Sequence, residues 1–138
     1  MPDWTFILIG QAQTDVSRLR TLPNVRLLGP RPHEALPGYA QHWDVSLLPF
    51  RDTPQIRACN PLKLREYLAV GGPIAAIDFP ALGPYRALIE VAKDANGFIE
   101  AIRRATADTT SRERRRASVA QESWDARVKS ISNLLESL

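Results

Sequence analysis

Apolar residues in this chain fall in short runs, separated by polar stretches rich in Pro and Gly. Thr5-Phe6-Ile7-Leu8-Ile9-Gly10 is the first run and reads as a buried strand closed by Gly. Residues 13–21 place Val16 and Leu19 at helical spacing, with Thr14 or Asp15 as N-cap, and Leu22-Pro23-Asn24 ends that helix. Val25 to Gly29 is a second strand. His33 to His42 has a helical pattern that Pro37-Gly38 interrupts and restarts. Asp44 to Pro49 is a third strand, and residues 50–60 form a polar, proline-containing loop. Pro61 to Val70 gives the strongest helix signal, with Pro in the first turn and Gly71-Gly72 as its stop. Pro73 to Ile77 is a fourth strand ending at Asp78. Residues 79–88 form a loop with room for a short helix, and Ile89 to Ala92 is a fifth strand. A helix follows from Asn96 or Gly97 to Ala107. Ser111 to Leu138 then reads as one long helix with Trp124, Val128, Ile131, Leu134 and Leu135 as a core-facing stripe.

Strands that alternate with helices, and that are apolar runs rather than in-out alternations, predict an α/β fold. The expected form is a Rossmann-like parallel sheet with helices on both faces. Ligands of such sheets sit outside the carboxyl ends of the strands. Those ends are Gly10-Gln11, Gly29-Pro30-Arg31, Pro49-Phe50-Arg51 and Asp78-Phe79.

Composition narrows the classes further. The chain has 138 residues, 44% hydrophobic and 24% charged, with a net charge of +3. That is one domain's worth of an ordinary globular protein. No apolar run approaches the ~20 residues of a membrane-spanning helix, and the N-terminus lacks the basic start and cleavage site of a signal peptide. A cytoplasmic location is therefore expected. The single Cys59 excludes an internal disulfide, and no Cys/His spacing or Asp-x-Asp pair suggests a metal. Arg112 to Arg116 reads as a solvated helix face rather than a nucleic-acid patch, since no aromatics interleave a broader basic surface.

The candidate chemistry lies at the start of the Pro61 helix. Free N–H groups and the positive end of the helix dipole suit an anion there. Asn60 is a good N-cap whose side chain could instead face a ligand. Lys63 opposes the dipole, which makes more sense if an anion neutralises it. Glu66, one turn on, offers a carboxylate to a ribose diol. A plain surface helix with an Asn cap and a Lys63–Glu66 pair fits the same residues.

The run NPLKLREYLAVGGPIAAID (residues 60–78) resembles the donor-nucleotide site of GT-B-fold glycosyltransferases, especially bacterial family 4-like enzymes. Trp4 to Gly10, Asn24 to Gly29, Leu36-Pro37-Gly38-Tyr39, Asp44 to Arg51 and Ser123 to Arg127 resemble further motifs of that family, in the same order. The resemblance implies that residues 1–138 form a C-terminal-type, nucleotide-sugar-binding domain. It implies that Asn60, Pro61 and Leu62 hold the diphosphate and Glu66 the ribose, as the second acid of E-x7-E, with Gly29 and Arg31 bordering the base. Arg51 and Lys63 are added as candidates to neutralise the diphosphate. The first acid of that motif falls on Ala58. The donor would be a nucleotide-diphosphate-sugar, with no cofactor. The N-terminal domain and the first strand of this domain are missing from the match. Two expectations follow. The isolated chain gives no turnover, and a missing N-terminal domain or a partner chain completes it. Either the Trp4–Gly10 strand pairs directly with the Asp44–Pro49 strand, or a partner covers the apolar gap. The alternative reading is a non-catalytic, truncated module that binds a nucleotide or a protein.

Overall fold

The computed structural model describes residues 1–137. They form two compact units, one over Met1–Tyr39 and one from Ala40 onward.

The first unit holds strand β1 (Phe6–Ile9), the short helix α1 (Ser17–Arg20) and strand β2 (Val25–Gly29). A 3-10 turn at His33–Ala35 then leads into α2 (Leu36–Ala40), which accommodates Pro37 and Gly38 without a break. β1 and β2 are parallel, with Phe6 opposite Val25 and a register shift between Leu8 and Ile9. Helix α1 is shorter than its pattern suggests. Val16 occupies its N-cap without a side-chain bond, while Asp15 closes a local turn on the Ser17 N–H at 2.8 Å. No residue of Met1–Tyr39 is fully buried, and Ile7 and Leu8 are 43% and 41% exposed. The reading of Thr5–Gly10 as a buried strand is thus corrected: a two-stranded sheet has too few neighbours to enclose it.

The second unit carries β3 (Ser46–Leu48), α3 (Pro54–Arg57), α4 (Leu62–Val70), β4 (Ile74–Ile77), a 3-10 run (Pro80–Leu88) and β5 (Glu90–Ala92). Helices α5 (Ala95–Thr106), α6 (Arg112–Val119) and α7 (Trp124–Glu136) follow. The sheet order is β3-β4-β5, all parallel. The described strands fall in two sheets, β1-β2 in the first unit and β3-β4-β5 in the second. β4 is central, and Ile74, Ala75 and Ala76 are fully buried, as a strand covered on both faces requires. Leu64 and Leu68 of α4 join Leu48, Ile74, Phe79, Leu82 and Leu88 in the core. Each such leucine contributes about 1.5–3 kcal/mol by leaving water. Helix α5 packs on β4 and β5 through Ala101, Ile102 and Ala105, capped by Asp94 on the Gly97 N–H at 2.8 Å. The expected loop at 50–60 contains α3, whose N-cap Thr53 accepts from the Ile56 N–H.

The carboxyl-terminal stretch departs most from its pattern. It is two helices rather than one, because Ser123 caps α7 on the Ala126 N–H and Ser111 caps α6 on the Arg114 N–H. The expected core stripe faces outward. Trp124 is 80% exposed, and Val128, Ile131, Leu134 and Leu135 are all exposed too. Helical spacing reveals that a face is apolar but not what covers it. Within the Arg run, Arg115 turns inward and is 1% exposed, because four acceptors await its guanidinium. Gly71 ends α4 with a left-handed turn at φ 84°, and a Cβ there would meet the Arg112 carbonyl oxygen at 2.9 Å. That close approach lets α4 pack along α6.

Candidate functional site

Helix α4 begins just after α3, on the chain that leaves the carboxyl end of β3. Its N-cap is Pro61, which has no side-chain acceptor to offer, so Asn60 is not the cap. Asn60 is exposed, and its Oδ1 instead accepts a hydrogen bond from Arg65 Nη1 at 2.7 Å. The competing donor is charged, and bonds to charged donors outrank neutral caps. The first-turn N–H groups of α4 are therefore left without a side-chain acceptor, at the positive end of the helix dipole. Pro61 is buried and anchors this turn, while Leu62 is 68% exposed beside it. Lys63 Nζ and Glu66 Oε2 form an ion pair at 2.7 Å, with both side chains partly in solvent. Exposed pairs of this kind contribute about 0–1 kcal/mol, so a ligand can displace either partner at little cost.

Arg65, on the neighbouring face of α4, ties the helix to the turn between α6 and α7. Its Nε donates to Glu122, which also accepts from the Tyr85 hydroxyl. The Arg65 guanidinium lies 6.0 Å from the Tyr85 ring centroid. Burial works against the Glu122 charge, but the Tyr85 and Arg65 hydrogen bonds and the Arg65 and Arg127 charges outweigh it and hold its carboxyl below the usual range. Burial first, then the Glu122 carboxylate, pushes the Tyr85 hydroxyl up.

Arg51 follows β3 and is exposed. Gly29 and Arg31 belong to the first unit. Gly29 adopts φ 69° at the end of β2, and its carbonyl accepts from the Gly10 N–H at 3.0 Å. Arg31 is exposed, and its guanidinium donates to the Tyr39 hydroxyl at 3.3 Å and the Pro30 carbonyl at 3.1 Å.

A hollow of about 390 Å³ opens beyond β4 and β5. Asp52 and Arg57 come to it from the β3–α4 connection, Asp78 and Arg86 from the segment after β4, and Lys93 from the residue after β5. Arg57 clasps Asp52 through two bonds of 2.6 Å, and Arg86 pairs with Asp78. The Arg57 hydrogen bond holds Asp52 below the usual carboxylate range.

The family model described as "Glycosyl transferases group 1" matches residues 1–108. The chain belongs to the group 1 glycosyltransferases. It is also 32% identical over 141 residues to "Putative teichuronic acid biosynthesis glycosyltransferase TuaH" of Bacillus subtilis (strain 168). That alignment covers 94% of this chain and 36% of the relative, so this glycosyltransferase chain spans about a third of the relative's length. No solved structure matches it. No described helix is long and apolar enough to cross a membrane.

Within this glycosyltransferase sequence, Asn60, Pro61, Leu62, Lys63 and Glu66 stand together on one helix start, where the pattern put them. Reading along the chain missed Arg57, Arg86 and Lys93, which lie up to 36 residues apart and meet only because three parallel strands end side by side. It also missed Arg65, a charged residue inside the quoted run, and Glu122, which lies outside every quoted motif.

Proposed function

We propose that this chain is the nucleotide-sugar-binding part of a glycosyltransferase, a C-terminal-type GT-B domain over residues 1–138. The activity is transfer of a sugar from a nucleotide-diphosphate-sugar to an acceptor, in a bacterial cytoplasm, within glycan biosynthesis. The observation that carries it is the uncapped start of α4, in the run that resembles a donor site within a glycosyltransferase family. Its free N–H groups, with Asn60, Pro61 and Leu62 around them, receive the diphosphate. Lys63 and Arg51 add positive charge as the leaving diphosphate gains negative charge, which is electrostatic stabilisation of the transition state. Glu66 leaves Lys63 to accept hydrogen bonds from the ribose hydroxyls. No metal or cofactor is required in this scheme.

Because the relative is nearly three times as long, the acceptor site and a catalytic base belong to a further domain or a partner chain. The chain alone binds donor without turnover. Thermal-shift titration with uridine- and guanosine-diphosphate sugars tests this. One series should raise the melting temperature, and Glu66→Ala should weaken that ligand about tenfold, the loss of a hydrogen bond to a charged group. No shift with any of them sinks the donor-site reading.

A further inference from the structure

We propose that Arg65 is a positioning residue for the donor: it holds the Asn60 side chain away from the start of α4 and so keeps the first-turn N–H groups open to a diphosphate. The inference rests on the donor-site reading and adds to it a residue that acts without touching the ligand.

Asn60-Pro61 carries two helix-start signals at once, a side-chain acceptor for the N-cap and a Pro for the position after it. The structure does not use them that way. Pro61 takes the N-cap position with extended backbone, φ −72° and ψ 131°, and the helix begins at Leu62. An Asn60 cap would put Pro61 in the first helical turn and close the Asn60 oxygen on the N–H of Leu62 or Lys63. Those are the groups an anion would use, so the side chain and the ligand compete for one place. Arg65 takes the competitor away, because its Nη1 donates to Asn60 Oδ1 at 2.7 Å. Arg65 is itself fixed from other directions. Its Nε donates to Glu122, and its guanidinium lies 6.0 Å from the Tyr85 ring centroid. The buried Tyr85 donates its hydroxyl to the same Glu122. A planar guanidinium spreads its donors over several partners in a fixed geometry, which a flexible ammonium does not do. Lys63 pairs with Glu66, and no side chain caps the helix start. An apparent affinity is the intrinsic affinity multiplied by the fraction of molecules in the competent state. By holding Asn60 aside, Arg65 raises that fraction.

The test is calorimetric titration with uridine and guanosine diphosphates of the parent, Arg65→Met, Asn60→Ala and the double variant. Arg65→Met should weaken the diphosphate that the parent binds by about fivefold, the ratio that an Asn cap of ordinary strength imposes. Adding Asn60→Ala to Arg65→Met should restore most of that loss, because Ala cannot occupy the N–H groups. The same Asn60→Ala change in the parent should bring no gain, because Arg65 already holds the side chain off. This dependence on background separates positioning from damage to the fold, which a second truncation does not repair. If Arg65→Met does not fold, urea unfolding of Asn60→Ala decides. Its midpoint should match the parent's, and a lowered midpoint overturns the proposal, because Asn60 would then be capping α4. Parent-like binding by Arg65→Met, a loss that Asn60→Ala does not relieve, or a gain from Asn60→Ala in the parent overturns the proposal while the donor-site reading stands. Failure of the parent to bind either nucleotide removes the donor-site reading and this inference together.

Discussion

Arg115 is the side chain whose loss should cost this fold most. Its Nε donates to the Leu88 carbonyl at 2.9 Å, and its Nη1 to the carbonyls of Thr110 at 2.9 Å and Gly71 at 3.3 Å. Its Nη2 pairs with Asp108. One guanidinium thus joins the end of α4, the end of the 3-10 run and the segment after α5. In Arg115→Met the stem still fills its space, but Asp108 and three carbonyls lose their donor. Breaking a buried ion pair by removing one partner costs about 3–5 kcal/mol. Against a total stability of roughly 5–15 kcal/mol, that is about a fifth of the fold or more. With a urea slope of about 2 kcal/mol per molar, the unfolding midpoint should fall by about 2 M. Circular dichroism of urea-unfolded samples reads this directly. Arg115→Lys should recover only part, since an ammonium cannot fork to four acceptors. Adding Asp108→Asn to Arg115→Met should relieve part of the loss, because it removes the stranded charge. A loss below about 1 kcal/mol in Arg115→Met would refute the clamp.

Three further substitutions test other parts of the structure. Glu122 has a lowered pKa in the fold, so its stabilisation is complete above the unfolded glutamate value of about 4.3 and is lost as pH falls below it. Glu122→Gln should therefore be less stable at pH 7 and lose less on acidification, as melting temperatures across pH 3–7 would show; parallel curves would contradict the network. Trp124→Ser and Ile131→Ser should each change the chain's stability by no more than about 0.5 kcal/mol, because both side chains face solvent. A loss of several kcal/mol in urea unfolding would mean that the stripe is core.

Local chemistry was legible in the sequence, and long-range company was not. The α4 helix showed itself through Pro61, its leucines and the Gly71 stop, all within a dozen residues. Strand β4 appeared as an apolar run because a central parallel strand is covered on both faces, whereas the equally apolar run of β1 is not covered. Where a feature depended on distant partners, the pattern misled. Asn60 has the chemistry of a cap, but Arg65 outbid the helix for its oxygen. Arg115 looks like its neighbours in the Arg run, yet it alone faces four acceptors. The stripe on α7 has the same periodicity whether it meets a core or water. The hollow's cations carried no spacing signal, because they are assembled by strand order.

The pair β1–β2 has a consequence in time as well as in space. Its amides are held by one ladder with no fully buried residue beneath them, so opening that ladder does not require the core around β4 to melt. Deuterium should therefore enter Phe6 to Gly29 long before it enters Ile74 to Ile77. The two units then act as separate clocks in one molecule. Exchange read segment by segment would therefore report the opening of each unit by itself.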